Sequence, residues 1–124
     1  VINGKVADIR DNNFIIHTDG GLVFYASIKP EIKTGDLVTV FLRHERIFAF
    51  ENKEKCDKSN NPIAAEIRLI TFLGPTIEYI CEANGVELRA RISNPGNLEI
   101  NILIGQQIYL NWDPRDCILL KRNR

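Results

Sequence analysis

The sequence of 124 residues has no excess of charge of either sign and no long apolar run. Lys and Arg together number 16, as do Asp and Glu, so the formal net charge is zero. A neutral chain has no overall field that attracts nucleic acid or an anionic membrane. No apolar run approaches the roughly 18 residues that suggest a membrane span, and the start lacks the basic and apolar regions of a signal peptide. We therefore expect a soluble globular domain.

Methionine is also absent, and position 1 is occupied by Val1. This absence predicts that the sequence is a fragment whose natural N-terminus lies upstream. Any function derived from these residues then describes one part of a larger protein.

Cysteine is scarce, with three residues and no Cys-x-x-Cys spacing. An odd number without paired spacing favours reduced thiols over a disulfide framework or a zinc site. Cys81 and Cys117 lie in apolar runs and are expected to be small buried hydrophobes. Cys56 lies in a polar segment and is expected to be an exposed thiol.

The motifs of common enzymes are missing. The sequence contains no GxxxxGK[ST] or GxGxxG loop for phosphate, no HExxH and no GxSxG. His17 and His44 are isolated from other candidate ligands or bases, so each is expected to be structural or surface-exposed. We predict that the chain is not an enzyme and holds no cofactor or metal of its own.

The sequence does contain an internal repeat. Residues 35–50 can be laid without a gap over residues 105–120, position 35 on position 105, an offset of 70. Each copy has a glycine turn, an apolar strand, a charged turn and a second apolar strand. A fixed internal period predicts two copies of one supersecondary unit.

Short β-branched and aromatic runs separated by Gly, Asn, Asp and Pro predict an all-β chain. Asn84-Gly85 is a strong signal for a tight hairpin. Strands are predicted at residues 5–10, 14–18, 22–28, 37–42, 46–50, 64–73, 76–82, 86–92, 107–112 and 117–121.

The predicted strands fall into two units. Residues 53–62 are polar and end in proline, so they are predicted to link a first unit, 1–52, to a second, 63–124. Units of about 60 residues are marginal alone, so the two are expected to share a core. Five strands per unit predict two tandem five-stranded OB-like (oligonucleotide-binding-type) barrels. Four apolar residues of the longest loop are expected to cap an open barrel end: Leu98, Ile100, Ile102 and Leu103.

Several short motifs occur in a characteristic order: Asn3-Gly4-Lys5-Val6, Arg43 to Ile47, Ile67 to Pro75, Glu78-Tyr79, Gly105, Ile108, Leu110, Trp112, Pro114 and Asp116. In this order they resemble a known family, the transport-associated OB (TOBE) domain at the C-terminus of ATP-binding subunits of bacterial ABC importers. That group serves polyamines, ferric iron, sulfate, maltose and similar solutes. The resemblance departs from the family pattern at His44, where members typically carry proline.

The resemblance implies a non-catalytic regulatory and dimerisation domain. ATP and Mg²⁺ would be bound elsewhere in the parent subunit, which would work with membrane-spanning transporter subunits at the cytoplasmic face of the membrane. It implies a homodimer and no nucleic-acid partner. The candidate interface or oxyanion contacts are Arg43, Glu45, Arg46, Arg89 and Arg91.

Two alternatives stay open at this point. Duplicated barrels also resemble molybdate- or tungstate-binding sensor modules, for which the available donors would be Thr34, Lys5, Ser93 and Arg89 or Arg91. OB-type barrels can bind single-stranded nucleic acid through aromatic side chains on a basic face. The zero net charge and an aromatic content of 8% argue against the nucleic-acid alternative.

Overall fold

The structure is a computed structural model that describes residues 2–93 and 103–122. This part of the chain contains ten strands, and its helical pieces are three 3₁₀ turns of three residues each, none long enough to cross a membrane. The all-β prediction is confirmed. The strands β1 to β10 are, in order, Ile2–Arg10, Asn13–Thr18, Val23–Ser27, Leu37–Leu42, Phe48–Phe50, Ile63–Leu73, Thr76–Ala83, Val86–Ser93, Gln107–Asn111 and Cys117–Lys121.

The strands form two five-stranded antiparallel sheets. The first has the order β10-β4-β1-β2-β3 and the second the order β5-β9-β6-β7-β8. The last strand of each half therefore lies in the sheet of the other half: β5 pairs with β9, and β10 pairs with β4. This exchange joins the halves through main-chain hydrogen bonds in addition to side-chain packing.

The internal repeat is visible in the backbone. The N–H of Val6 donates to the carbonyl of Asp36 at 3.0 Å, and the N–H of Ile67 donates to the carbonyl of Gln106 at 3.0 Å. A register shift follows Val6 in β1, and another follows Ile67 in β6. Because Asp36 and Gln106 are 70 positions apart, the repeat predicted from the sequence corresponds to two copies of one backbone arrangement.

The two sheets share one hydrophobic core. Phe14 and Phe24 from the first sheet and Tyr79 from the second are fully buried members of the same cluster. The ring of Trp112, after β9, meets the ring of Phe24 on β3 edge-on, with centroids 5.2 Å apart. The predicted sharing of a core by two five-stranded units is thus confirmed.

The hairpin turns of the two halves contact each other. A Cβ added to Gly20, between β2 and β3, would lie 2.8 Å from the carbonyl oxygen of Asn84, between β7 and β8. Asn84 and Gly85 both have positive φ, at 47° and 83°, as a two-residue hairpin turn requires. The absence of a side chain at Gly20 therefore permits the close approach of the two turns.

The segment predicted as a linker contains buried residues. Cys56 is 7% exposed and Asn60 is 3% exposed, so the expectation of an exposed Cys56 thiol is wrong. Packing, and not local polarity, decides the position of this thiol. The boundaries at residues 52/53 and 62/63 stay a prediction.

The predicted cap of a barrel end falls mostly on Leu98, Ile100 and Ile102, which lie outside the described residues. Leu103 is described and is 70% exposed, so its side chain does not pack on the core.

Candidate functional site

The five candidate contact residues lie in two neighbouring places. Arg43, Glu45 and Arg46 are in or beside the 3₁₀ turn His44–Arg46 that joins β4 to β5. Arg89 and Arg91 lie on β8, and this strand packs beside that turn. The fold therefore brings together two groups that are more than 40 positions apart in the sequence.

On β8 the two arginines hold one carboxylate. Arg91 Nε lies 3.2 Å from one oxygen of Glu78, and Arg89 Nη1 lies 3.6 Å from the other. The side chain of Glu78 is only 11% exposed, whereas those of Arg89 and Arg91 are 43% and 50% exposed. Because the carboxylate of Glu78 already forms ion pairs with both guanidinium groups, an oxyanion at this place would compete with it for the two arginines.

Glu78 was not among the candidates selected from the sequence. The register places it directly opposite Arg91 on the neighbouring strand β7. The alternation of charged and apolar residues along both strands contains this signal, because opposite residues of an antiparallel pair share a face. The two-residue turn signal Asn84-Gly85 also fixes the register, since Ala83 opposite Val86 places Glu78 opposite Arg91.

The other group is exposed. Arg43, Glu45 and Arg46 have no ion pair with any residue in the described ranges. Next to them the ring of Phe48 is 50% exposed. An exposed aromatic ring among arginines is typical of the residues enriched at protein–protein contacts.

Arg46 lines a surface cavity of about 450 Å³ between the 3₁₀ turn His44–Arg46 and its counterpart 70 positions later, the 3₁₀ turn Pro114–Asp116. The other lining residues are Phe48, Asp113, Arg115 and Asp116. Arg115 Nη2 lies 2.8 Å from Asp113 Oδ2, and its hydrogen bonds lower the pKa of the Asp113 carboxyl. Two arginines and two aspartates leave the cavity without net charge, so it is not built as an anion site.

The donors considered for an oxyanion lie on different elements. Lys5 is exposed on β1 in the first sheet, and Thr34 is exposed in the turn before β4. Arg89 and Arg91 belong to the second sheet, and Ser93 is the last residue of β8.

The three cysteines are buried and offer no reactive thiolate. Burial raises the pKa of Cys81 to about 11 and that of Cys117 to about 12, and burial also raises the pKa of Cys56. Thiols with such pKa values are protonated at neutral pH and are poor nucleophiles and metal ligands. Within the described ranges, no three His, Cys, Asp or Glu side chains are grouped so as to hold a metal ion.

Residues 56–61, which we call the strap, cover the free edge of β3. The N–H of Tyr25 donates to Asn60 Oδ1 at 2.8 Å, and Asn60 Nδ2 donates to the carbonyls of Tyr25 at 3.2 Å and Trp112 at 2.9 Å. Asn61 Nδ2 donates to the carbonyl of Val23 at 2.7 Å. Two asparagines that resemble a turn signal in the sequence thus satisfy the outer main-chain groups of an edge strand.

Comparison with known proteins identifies the family. The sequence profile of the TOBE domain matches residues 40–120. The match covers more than half of the chain, so the chain belongs to the TOBE domain family, and the predicted resemblance is confirmed.

Two relatives are spermidine/putrescine import ATP-binding proteins called PotA. The one from Rubrobacter xylanophilus is 26% identical over 129 aligned positions, which cover the whole of this chain and 32% of the relative. The one from Malacoplasma penetrans is 30% identical over 95 positions, covering 77% of this chain and 14% of the relative. The chain therefore spans about a third or less of the length of these relatives.

A solved structure has a similar fold. The cytoplasmic molybdate-binding protein ModG, in a molybdate-bound form, superposes with a TM-score of 0.79 over 95% of this chain and 92% of that chain. The two sequences are 15% identical, so the likeness concerns the fold.

Proposed function

We propose that this domain is the regulatory and dimerisation part of an ABC importer's ATP-binding subunit and is non-catalytic by itself. The observation that carries the proposal is membership of the TOBE domain family, together with relatives that are import ATP-binding proteins. In this proposal ATP and Mg²⁺ bind elsewhere in the parent subunit. The domain lies at the cytoplasmic face of the membrane and works with the membrane-spanning transporter subunits.

The chemistry of the described residues supports a binding role over a catalytic one. The buried thiols of Cys81 and Cys117 are protonated at neutral pH. Glu78 is occupied by Arg89 and Arg91 and is not poised as a free base. A rigid all-β domain suits a fixed contact that persists while other parts of a transporter move.

The proposed dimer contact is centred on the exposed turn with Arg43, Glu45 and Arg46 and on the neighbouring ring of Phe48. A two-fold contact places the same surface of two copies face to face. Glu45 of one copy can then meet an arginine of the other, while Phe48 supplies apolar area at the centre. The exposed charges and the half-exposed ring support the choice of this surface as the dimer contact.

Sedimentation equilibrium tests the dimer. We expect a dimer at high micromolar concentration, and weaker association by about tenfold or more when Arg46→Asp introduces like charge at the contact. Arg10→Asp reverses the charge of another exposed arginine, at the end of β1, and serves as the matched control. A monomer at every concentration, or equal weakening by both variants, would refute the proposed contact.

Oxyanion sensing is the second candidate, and the fold shared with a molybdate-binding protein favours it. The donors would be Arg89 and Arg91, with Lys5, Thr34 or Ser93 contributed at a seam between copies. Calorimetry with molybdate, tungstate, sulfate and phosphate tests this candidate directly. Heat that saturates with molybdate or tungstate but not with sulfate would support it, and no heat with any of the four anions would exclude it.

A further inference from the structure

The edge strand β8 is the counterpart of β3 in the internal repeat. Each half contains a buried row of cross-strand neighbours, Val6–Ile16–Phe24 in the first and Ile67–Cys81–Leu88 in the second. Tyr25 therefore corresponds to Arg89, and Val23 corresponds to Glu87. The surroundings match as well, because β10 and the turn Pro114–Asp116 approach β3 in the way that β5 and the turn His44–Arg46 approach β8.

The two edges differ in what covers them. On β3, the main-chain groups of Tyr25 and Val23 are bound by Asn60 and Asn61 of the strap. On β8, the main-chain groups of Glu87 and Arg89 receive no hydrogen bond from the chain over residues 2–93 and 103–122.

Hairpin geometry fixes the direction in which these groups point. Ala83 and Val86 pair directly across the two-residue turn, so they form a hydrogen-bonded pair. Hydrogen-bonded and non-hydrogen-bonded pairs alternate along an antiparallel ladder. The N–H and C=O groups of Glu87 and Arg89 therefore point away from β7, toward the open edge, as those of Tyr25 do in the other half.

A cavity of about 140 Å³ lies beside this edge, lined in part by Leu42, Glu87 and Leu88. At the offset of 70, Leu42 corresponds to Trp112, whose carbonyl accepts from Asn60. The cavity thus lies between the counterparts of Trp112 and Val23, whose carbonyls accept from Asn60 and Asn61 in the first half. Its volume equals that of several water molecules at about 30 Å³ each, which is enough for a small amide side chain.

We propose that the β8 edge and this cavity bind an extended segment of a partner polypeptide that inserts an asparagine side chain. The carboxamide accepts from the N–H of Arg89 and donates to the carbonyls of Arg89 and Leu42, as Asn60 does with Tyr25 and Trp112. This is recognition by main-chain pairing at an open sheet edge, with a pocket for one side chain. The site adjoins the proposed dimer contact, because His44 of the turn His44–Arg46 also lines the cavity, and it uses the main chain of Arg89 where the oxyanion candidate uses the side chain.

One difference between the halves defines the partner further. Asn111 Nδ2 donates to the carbonyl of Asp57 in the strap at 2.7 Å. The residue at the corresponding position of the first sheet is Phe41, which is 41% exposed and has no such donor. The partner segment therefore places an apolar side chain against Phe41, where the strap has a hydrogen bond.

A peptide titration tests the site. The probe is a synthetic peptide with the sequence of residues 56–62 in which serine replaces Cys56 and leucine replaces Asp57, so that it carries an apolar side chain for Phe41. The matched control is the same peptide with Asn60→Ala. We expect the amide resonances of Leu42, Glu87 and Arg89 to shift with the probe in two-dimensional ¹⁵N NMR spectra. The control should bind about tenfold more weakly, because it lacks the carboxamide.

Two variants of the protein separate the main-chain contact from the side chain. Arg89→Pro removes the outward N–H at an edge position where proline is tolerated, and Arg89→Ala removes the same ion pairs but keeps the N–H. The proposal expects probe binding to the Ala variant and at least about tenfold weaker binding to the Pro variant. If the Pro variant does not fold, the comparison of the probe with the control peptide is sufficient to test the proposal.

Several outcomes overturn the proposal. Equal binding of both peptides would show that no pocket recognises the asparagine side chain. Shifts confined to Tyr25 and Val23 would show that the peptide displaces the strap and does not bind the β8 edge. Shifts at Glu87 and Arg89 that grow with protein concentration, without peptide, would assign the edge to a second copy of this chain. If no amide resonance shifts at millimolar concentrations of the probe, the β8 edge does not bind such a segment.

Discussion

Asn60 Nδ2 donates a hydrogen bond of 2.9 Å to the carbonyl oxygen of Trp112, across 52 positions of sequence. The same carboxamide also binds both main-chain groups of Tyr25. One side chain thus joins the strap to an edge strand of the first sheet and to the end of β9 in the second. The polar segment between the halves is fixed to the fold through it.

Asn60→Ala should lower the free energy of unfolding by about 3 kcal/mol, because it leaves buried main-chain groups of Tyr25 and Trp112 without partners. Urea denaturation monitored by tryptophan fluorescence measures the change. Lys58→Ala, on the exposed side of the strap, is the control and should change stability by less than about 0.5 kcal/mol. A change for Asn60→Ala no larger than that of the control would contradict the bridging role.

Gly20→Ala should lower the free energy of unfolding by about 1–3 kcal/mol, because its Cβ would lie 2.8 Å from the main-chain oxygen of Asn84. The two hairpin turns must then separate, and neither has a flexible side chain that can yield at this point. Thermal unfolding measures the loss. Asp19→Ala, at the exposed neighbouring position, is the control, and equal melting temperatures for the two variants would show that the turns do not need this close approach.

The Cys117 thiol should make the fold less stable at alkaline pH. Burial raises its pKa from 9.0 to about 12, so the unfolded chain loses this proton at a lower pH than the folded chain does. The contribution is complete below pH 9 and declines as the pH rises toward about 12. Denaturation midpoints between pH 8 and 11 measure the decline.

Cys117→Ala provides the comparison for that titration. The variant should be less stable at pH 8, because a buried side chain is truncated, but its stability should decline less steeply above pH 9. Cys81, with a pKa of about 11, titrates in both proteins, so its contribution cancels in the difference. Parallel pH profiles would mean that Cys117 is not linked to unfolding.

Glu78→Gln should lower stability by about 1 kcal/mol, since Arg89 and Arg91 lose the carboxylate that they share while remaining half-exposed to water. Glu87→Gln, which removes an exposed partner of Arg89, should have almost no effect. Urea denaturation at low and high salt tests both variants. A larger loss of stability for Glu87→Gln than for Glu78→Gln would show that the buried carboxylate of Glu78 is not the more important partner of the arginines.

Strand positions could be predicted because they depend on local pattern. Alternation along residues 86–92 and the turn signal Asn84-Gly85 placed β7 and β8 close to their observed bounds. The repeat at an offset of 70 gave two equivalent units, and the order of short motifs gave the family. Of the candidate site, the arginines were predicted and their carboxylate was not, although a two-residue turn at Asn84-Gly85 places Glu78 opposite Arg91.

The sequence by itself determined the all-β class and the duplication, since periodicity and turn residues act over a few positions, and the resemblance of its ordered motifs indicated the TOBE family. Only the tertiary structure decided that β5 and β10 exchange sheets, that Cys56 is buried and that Asn60 binds the edge of β3. The physical reason is that an edge strand accepts whichever segment the whole fold brings to it. Its main-chain groups are alike at every residue, so the chain carries no local mark of the partner.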